Sequence, residues 1–126
     1  MPELKISISD EQTEEITTIN VSGIVDALTV SELEKVLSSL MGGEGHGIIL
    51  NLSSTEYIST AGWSAIISAV EKIRKNRGEM ILANMVPNVQ ENYQDLEFNQ
   101  ILDAYESVKD AHKAMLKHQN SKSAKK

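Results

Sequence analysis

The apolar run Ile48-Ile49-Leu50-Asn51-Leu52 constrains this chain most, because of what comes after it. Downstream, Ile58-Ser59-Thr60-Ala61-Gly62-Trp63 leads into Ile66, Ile67, Val70 and Ile73. The short continuous run predicts a buried strand. The i, i+3, i+4, i+7 recurrence predicts an amphipathic helix from about residue 61 to 76. Two hydroxyls, Ser59 and Thr60, therefore sit at a strand-to-helix junction. A helix start carries unpaired N–H groups and the positive end of the dipole, and both favour an oxyanion or a phosphate. A hydroxyl there is either a simple cap or a place where phosphate is carried and read.

The rest of the chain falls around this junction. Leu4, Ile6 and Ile8 alternate with polar residues, Glu11-Gln12-Thr13-Glu14 is a polar turn, and Ile16 to Val21 alternates again, as in an antiparallel hairpin. Gly23 is expected to close the second strand. Thr29-Val30-Ser31-Glu32 has the form of a capping box, opening a helix with Val30, Leu33, Val36, Leu37 and Leu40 on one side. Gly42 and Gly43 end that helix. After Arg77-Gly78, Met80-Ile81-Leu82-Ala83 reads as an interior strand, and Pro87-Asn88 starts a helix bearing Val89 and Tyr93. Ile101-Leu102 is either a short edge strand or a buried link. Ser107-Val108-Lys109-Asp110 opens a last helix with Val108, Ala111 and Met115 on one face. Alternating strands and helices predict an α/β fold with a mixed, mostly parallel sheet, an antiparallel N-terminal edge and about four helices. One domain is expected over residues 1–116, and residues 117–126 form a basic tail expected to be disordered.

Composition narrows the chemistry. The chain has 12 basic and 18 acidic residues, and Lys117, Lys122, Lys125 and Lys126 all lie in the tail. The remaining 8 basic residues face all 18 acidic ones, a balance that argues against nucleic-acid binding. There is no cysteine, so disulfides and thiolate chemistry are excluded. No apolar leader or membrane-length run is present, so the expectation is a cytoplasmic protein with no membrane partner. Gly42-Gly43-Glu44-Gly45-His46-Gly47 follows a helix and feeds a strand, whereas a phosphate cradle follows a strand and opens a helix; it reads as a flexible connection. Nucleophilic catalysis by Ser59 or Thr60 needs a base and an orienting group, and no Gly-x-Ser-x-Gly elbow exists. His46, His112 and His118 lack close ligand spacing. No enzymatic activity, metal or cofactor is therefore expected. Trp63 is either core packing beneath the sheet or an aromatic anchor for a partner. Asp26 is either a turn residue or cap, or a negative rim to a docking surface.

Gly23-Ile24-Val25-Asp26 after the second strand, Asn51-Leu52-Ser53, and Ser59-Thr60-Ala61-Gly62-Trp63 at the junction together resemble the STAS domain. More narrowly they are similar to the bacterial anti-sigma factor antagonists, whose junction motif has the form (Asp or Ser)-Ser-(Ser or Ala)-Gly-Leu. The likeness spans roughly residues 4 to 116 in the order of its elements, and only the short motifs are specific. What the resemblance implies is a partner switch. The unmodified antagonist binds a GHKL-type serine/threonine kinase that doubles as an anti-sigma factor, phosphorylation abolishes binding, and a PP2C-type phosphatase resets it. The phospho-acceptor carried over is Thr60, with Ser59 beside it, and the implied contact residues are Asp26, Ile58, Ser59, Thr60, Ala61, Gly62 and Trp63. This chain departs from the commoner motif at three positions: Ser59 replaces an acidic residue, Thr60 a serine and Trp63 a leucine. The alternative is a STAS scaffold or accessory subunit, stressosome-type, transporter-associated or acting on a non-sigma regulator, that binds without a phosphate switch.

Overall fold

In a computed structural model the chain forms β1 (Leu4–Ile8), β2 (Ile16–Val25), α1 (Val30–Leu40), β3 (Gly47–Ile58), α2 (Thr60–Lys75), β4 (Glu79–Ala83), α3 (Pro87–Asp95), a 3-10 turn (Phe98–Gln100), β5 (Ala104–Tyr105) and α4 (Val108–Ala124). The structure describes residues 4–8, 16–40 and 47–124, with side chains described through residue 117. The expected turn at Glu11–Glu14 and the glycine-rich stretch through His46 lie outside the described residues, as does His118 as a side chain.

The five strands lie in the order β1-β2-β3-β4-β5. β1 pairs with β2 antiparallel, and every later pairing is parallel. Because each crossover joins neighbouring strands in sequence order, right-handed connections swing their helices to one side of the sheet. The core follows that arrangement. Leu33 and Leu37 of α1, Trp63, Ile66, Val70 and Ile73 of α2, and Val89 and Tyr93 of α3 pack with Ile48, Leu50 and Leu52 of β3. On the other face Ala111 and Met115 of α4 meet Ile16, Ile49, Ile81 and Ala83. β3 and β4 alternate between two covered faces, which is why both read as continuous apolar runs rather than as alternating ones.

Several local expectations are revised. Gly23 does not end β2. It lies inside the strand at φ 111°, and β2 continues to Val25. β3 runs on from Leu52 to Ile58 through two bulges: Asn20 and Ser22 pair with Asn51 and Ser54, then Gly23 and Ile24 pair with Thr55 and Tyr57. Each bulge inserts an extra residue in β3, so burial past Leu52 recurs at Thr55 and Ile58, every third residue instead of every second. Ile101-Leu102 is a link with Leu102 buried, and the edge strand is Ala104–Tyr105. The backbone of α4 runs from Val108 to Ala124, a span without glycine or proline.

Two polar devices support the layers. Asn51 donates to the Asn20 side-chain oxygen at 2.8 Å, Asn84 donates to Asn51 at 3.1 Å, and Asn20 reaches Ser7 at 3.4 Å, a ladder running from β1 to the end of β4. The Tyr93 hydroxyl donates to the Leu102 carbonyl. Burial, and secondarily the Asp103 carboxylate, holds the Tyr93 phenol above its ordinary value.

The α4 contact is tight at Gly47, where an added Cβ would sit 2.9 Å from Cγ and Sδ of Met115. Met115→Ala is expected to cost about 2–5 kcal/mol of stability, as buried truncations do. Gly47→Ala should be cheaper in that background than in the wild type, because its obstacle is gone. A urea-unfolding double-mutant cycle measures both, and strictly additive energies would show that the two residues do not meet.

Candidate functional site

The junction is built by the ends of two adjacent parallel strands. Val25 and Ile58 are the last paired residues of β2 and β3. Just past them the Ser59 N–H donates to the Val25 carbonyl at 2.8 Å, turning the chain into α2. Ser59 is extended (φ −79°, ψ 172°) and acts as the N-cap: its hydroxyl accepts from the Gly62 N–H at 3.2 Å. Its carbonyl accepts from the Trp63 N–H at 2.9 Å. Of the two hydroxyls, Ser59 is thus committed to the helix. Thr60, the first residue of α2, is exposed, as is Ala61.

Gly62 is buried where α2 rests on the end of β2. A Cβ there would meet the Val25 carbonyl oxygen at 2.7 Å and Val25 Cγ1 at 2.9 Å. Trp63 is 1% exposed and packs against Phe98 and Tyr93 in tilted pairs, with ring centroids at 5.1 and 6.1 Å. Its indole N–H has no hydrogen-bond partner among the described residues. The core reading of Trp63 therefore holds. With Ile58 and Gly62 also buried, these three shape the junction from below. Asn88 clamps the neighbouring edge, its amide donating to the Glu56 carbonyl at 2.6 Å.

The β2–α1 loop emerges beside the junction, since Asp26 directly follows Val25. The expected capping box is replaced by a different arrangement. Asp26 Oδ1 accepts from the N–H groups of Leu28 at 2.9 Å and Thr29 at 3.2 Å. The Thr29 hydroxyl turns inward, donating to the Ile24 carbonyl at 2.6 Å and accepting from the Asp26 N–H at 3.0 Å. The Thr29 N–H that a capping box would pair with Glu32 is bonded to Asp26 instead. Asp26 is a turn-fixing residue, as one of its two readings held. Sequence periodicity missed Leu28, which is 84% exposed at the tip of this loop.

Asp26, Ser59, Thr60 and Ala61 are thus brought to one end of the sheet with Leu28, over a buried floor of Ile58, Gly62 and Trp63. The start of a 16-residue helix at this surface favours an anion. Among the described residues there is no cluster of three or more His, Cys, Asp or Glu able to hold a metal, and no helix long and apolar enough to cross a membrane.

The family model of the STAS domain matches residues 7–111: the chain belongs to the STAS domain family. A Bordetella bronchiseptica protein named as an anti-sigma factor antagonist, BtrV, is 26% identical over 57% of this chain; the match spans 62% of that relative. Among solved structures, an anti-sigma factor antagonist from Mycobacterium paratuberculosis is similar with a TM-score of 0.76 and 20% identity, covering 88% of this chain and 94% of that one. The phosphorylated form of the Bacillus cell fate determinant SpoIIAA is similar with a TM-score of 0.66 and 17% identity, covering 87% and 98%. At these identities the solved structures establish the fold.

Two substitutions check the junction. Ser59→Ala should cost about 1 kcal/mol, the usual loss for a hydroxyl N-cap. Gly62→Ala should cost about 1–3 kcal/mol or more, because the obstacle is backbone and cannot rotate away. Chemical denaturation measures both, and a Gly62→Ala variant as stable as wild type would contradict the close approach.

Proposed function

We propose that this STAS domain is a non-enzymatic, cytoplasmic anti-sigma factor antagonist in a phosphorylation-controlled partner switch. Its unmodified form binds a GHKL-type serine/threonine kinase that acts as the anti-sigma factor, and phosphorylation of Thr60 abolishes binding. A PP2C-type phosphatase restores the binding form. The observation that carries this reading is the division of labour at the junction: Ser59 is held as the N-cap while Thr60 stands exposed one residue later. The names of BtrV and of the Mycobacterium protein, and the existence of SpoIIAA in a phosphorylated form, support carrying the role over.

In the transfer, Thr60 Oγ1 bonds to the γ-phosphorus of ATP, the β–γ bridging bond breaks to give ADP, and the hydroxyl proton leaves to a base on the kinase. The product adds about −1.5 to −2 charge and three acceptor oxygens at the helix start. The dipole of α2 offsets part of that charge, about 0.3–1 kcal/mol, so the fold tolerates the group. A partner packed over Thr60 does not, since it meets new bulk and a charge that must be desolvated. Each 1.4 kcal/mol of lost fit is about ten-fold in affinity.

The test is intact-mass and site mapping after incubation with the GHKL-type kinase of the same genome and ATP. A single phosphate on Thr60 is expected. Thr60→Ala should fold normally and bind the kinase whether or not ATP is present, and Thr60→Glu should bind more weakly. If both variants bind like wild type, the switch at Thr60 is wrong. A stable complex with no phosphate transfer would favour the constitutive scaffold.

A further inference from the structure

The face of the sheet that carries α4 turns polar beyond that helix, and it does so in a pattern. In β1 and β2, Leu4, Ile6, Ile19 and Val21 pack on the side covered by the crossover helices. Lys5, Ser7, Asn20 and Ser22 therefore alternate onto the opposite side. The register lines them up across three strands: Ser7, Asn20 and Asn51 form one row, and Lys5, Ser22 and Ser54 the next. The rows lie about 7 Å apart along the strands. Ser53, within the first bulge of β3, falls between them. These side chains line a cleft of about 270 Å³.

The first row has a direction, and one backbone group sets it. Asn51 Oδ1 accepts from the Ser53 N–H at 3.3 Å. A backbone N–H can meet only the oxygen of a carboxamide, so the Asn51 nitrogen has to point away, to Asn20 Oδ1. Asn84 donates to the same Asn51 oxygen, which fills both of its lone pairs. Asn20 in turn directs its nitrogen to the Ser7 hydroxyl. The acceptors of the row are thus largely consumed inside it, while Asn20 and Asn51 each keep a second N–H. The hydroxyls of Ser22, Ser53 and Ser54 add donors, and Lys5 adds a cation. The described residues that line the cleft include no carboxylate, in a chain that has 18 acidic residues.

We propose that this cleft binds a small organic phosphate carrying further oxygen acceptors, with its phosphoryl group beside Lys5 and its other oxygens along Asn20 and Asn51. An excess of donors favours oxyanions, which only accept, over alcohols, whose hydroxyls must also donate. The donors extend over three strands spaced about 4.8 Å apart, a span of about 10 Å, so a lone phosphate ion meets only part of them. The cleft falls just under the volume of about 300–1,000 Å³ usual for ligand pockets, which keeps the occupant small. None of these side chains belongs to the junction at Thr60, and the inference does not rest on the partner-switch reading.

The experiment is a nitrogen-edited NMR titration of the full chain with 3-phosphoglycerate, with inorganic phosphate and glycerol as comparison probes. Saturable shifts are expected at the side-chain amides of Asn20 and Asn51 and at the backbone N–H groups of Lys5, Ser22 and Ser54. Affinity should exceed that for inorganic phosphate by about ten-fold or more, and glycerol should produce no shift. Lys5→Gln is expected to weaken binding about three-fold to ten-fold, and Lys5→Arg to retain it. Ser54→Asp, at an exposed position outside the ladder, should weaken it by about ten-fold or more at an unchanged melting temperature. Thr60→Ala should bind the probe like wild type. Shifts centred on Ala61 and Gly62, or lost in Thr60→Ala, would move the anion to the start of α2 and overturn the inference. Equal affinity for inorganic phosphate would overturn the ligand class, and so would saturable binding of glycerol. No saturable shift with 3-phosphoglycerate, or full binding by both Lys5→Gln and Ser54→Asp, would overturn the site itself.

Discussion

The Val25 carbonyl is the point on which the functional end of the molecule depends. It accepts the Ser59 N–H at 2.8 Å, which ends the β2–β3 ladder and begins α2 in the same step. The same oxygen lies where a side chain at position 62 would have to go, so α2 reaches its seat only with glycine there. A hydrogen-bonded acceptor and a missing Cβ thus set the height of the whole helix above the sheet. Once α2 is seated, Trp63 is driven down against Tyr93 and Phe98, and Thr60 is left facing water. Burial below and exposure above follow from one close approach.

The sheet around that point is asymmetric in the way its topology requires. Three crossover helices fill one face, and among the described residues only the terminal α4 returns to cover the other. Beyond the apolar contacts of α4 the second face is finished with polar groups, the Asn20–Asn51–Asn84 ladder. Carboxamides can bond to one another along a row of strands, each both donating and accepting, so the face is closed without needing a further apolar layer. Asn51, part of the motif that resembles the family, acts here as the middle rung of a cross-strand tie.

Much of the fold was legible because burial on both faces leaves an unmistakable trace. Ile48 to Leu52 and Met80 to Ala83 are continuous apolar runs, and α2 and α3 keep their helical spacing through Ile73 and Tyr93. The far half of β3 was not legible. Two bulges convert its period from two to three, and Ser53, Ser54 and Glu56 then look like loop. Thr29 and Glu32 sit at capping-box spacing, yet Asp26 reaches the helix start first, and local spacing does not reveal such a competition. At the site, the hydroxyl junction was visible as chemistry, but which hydroxyl is occupied depends on the Gly62 N–H. Leu28 was invisible for a simpler reason: a single exposed apolar residue has no periodicity to find, and only three-dimensional exposure distinguishes it.

Trp63 brings one more consequence. It is the sole tryptophan of the chain, and it lies in the first turn of α2, buried and with an indole N–H that has no partner among the described residues. Its fluorescence therefore comes from a single known place, three residues from Thr60 and against the rings of Tyr93 and Phe98. No dye or label is needed to watch the helix start: the molecule carries its own optical gauge, mounted beneath the exposed face of the junction.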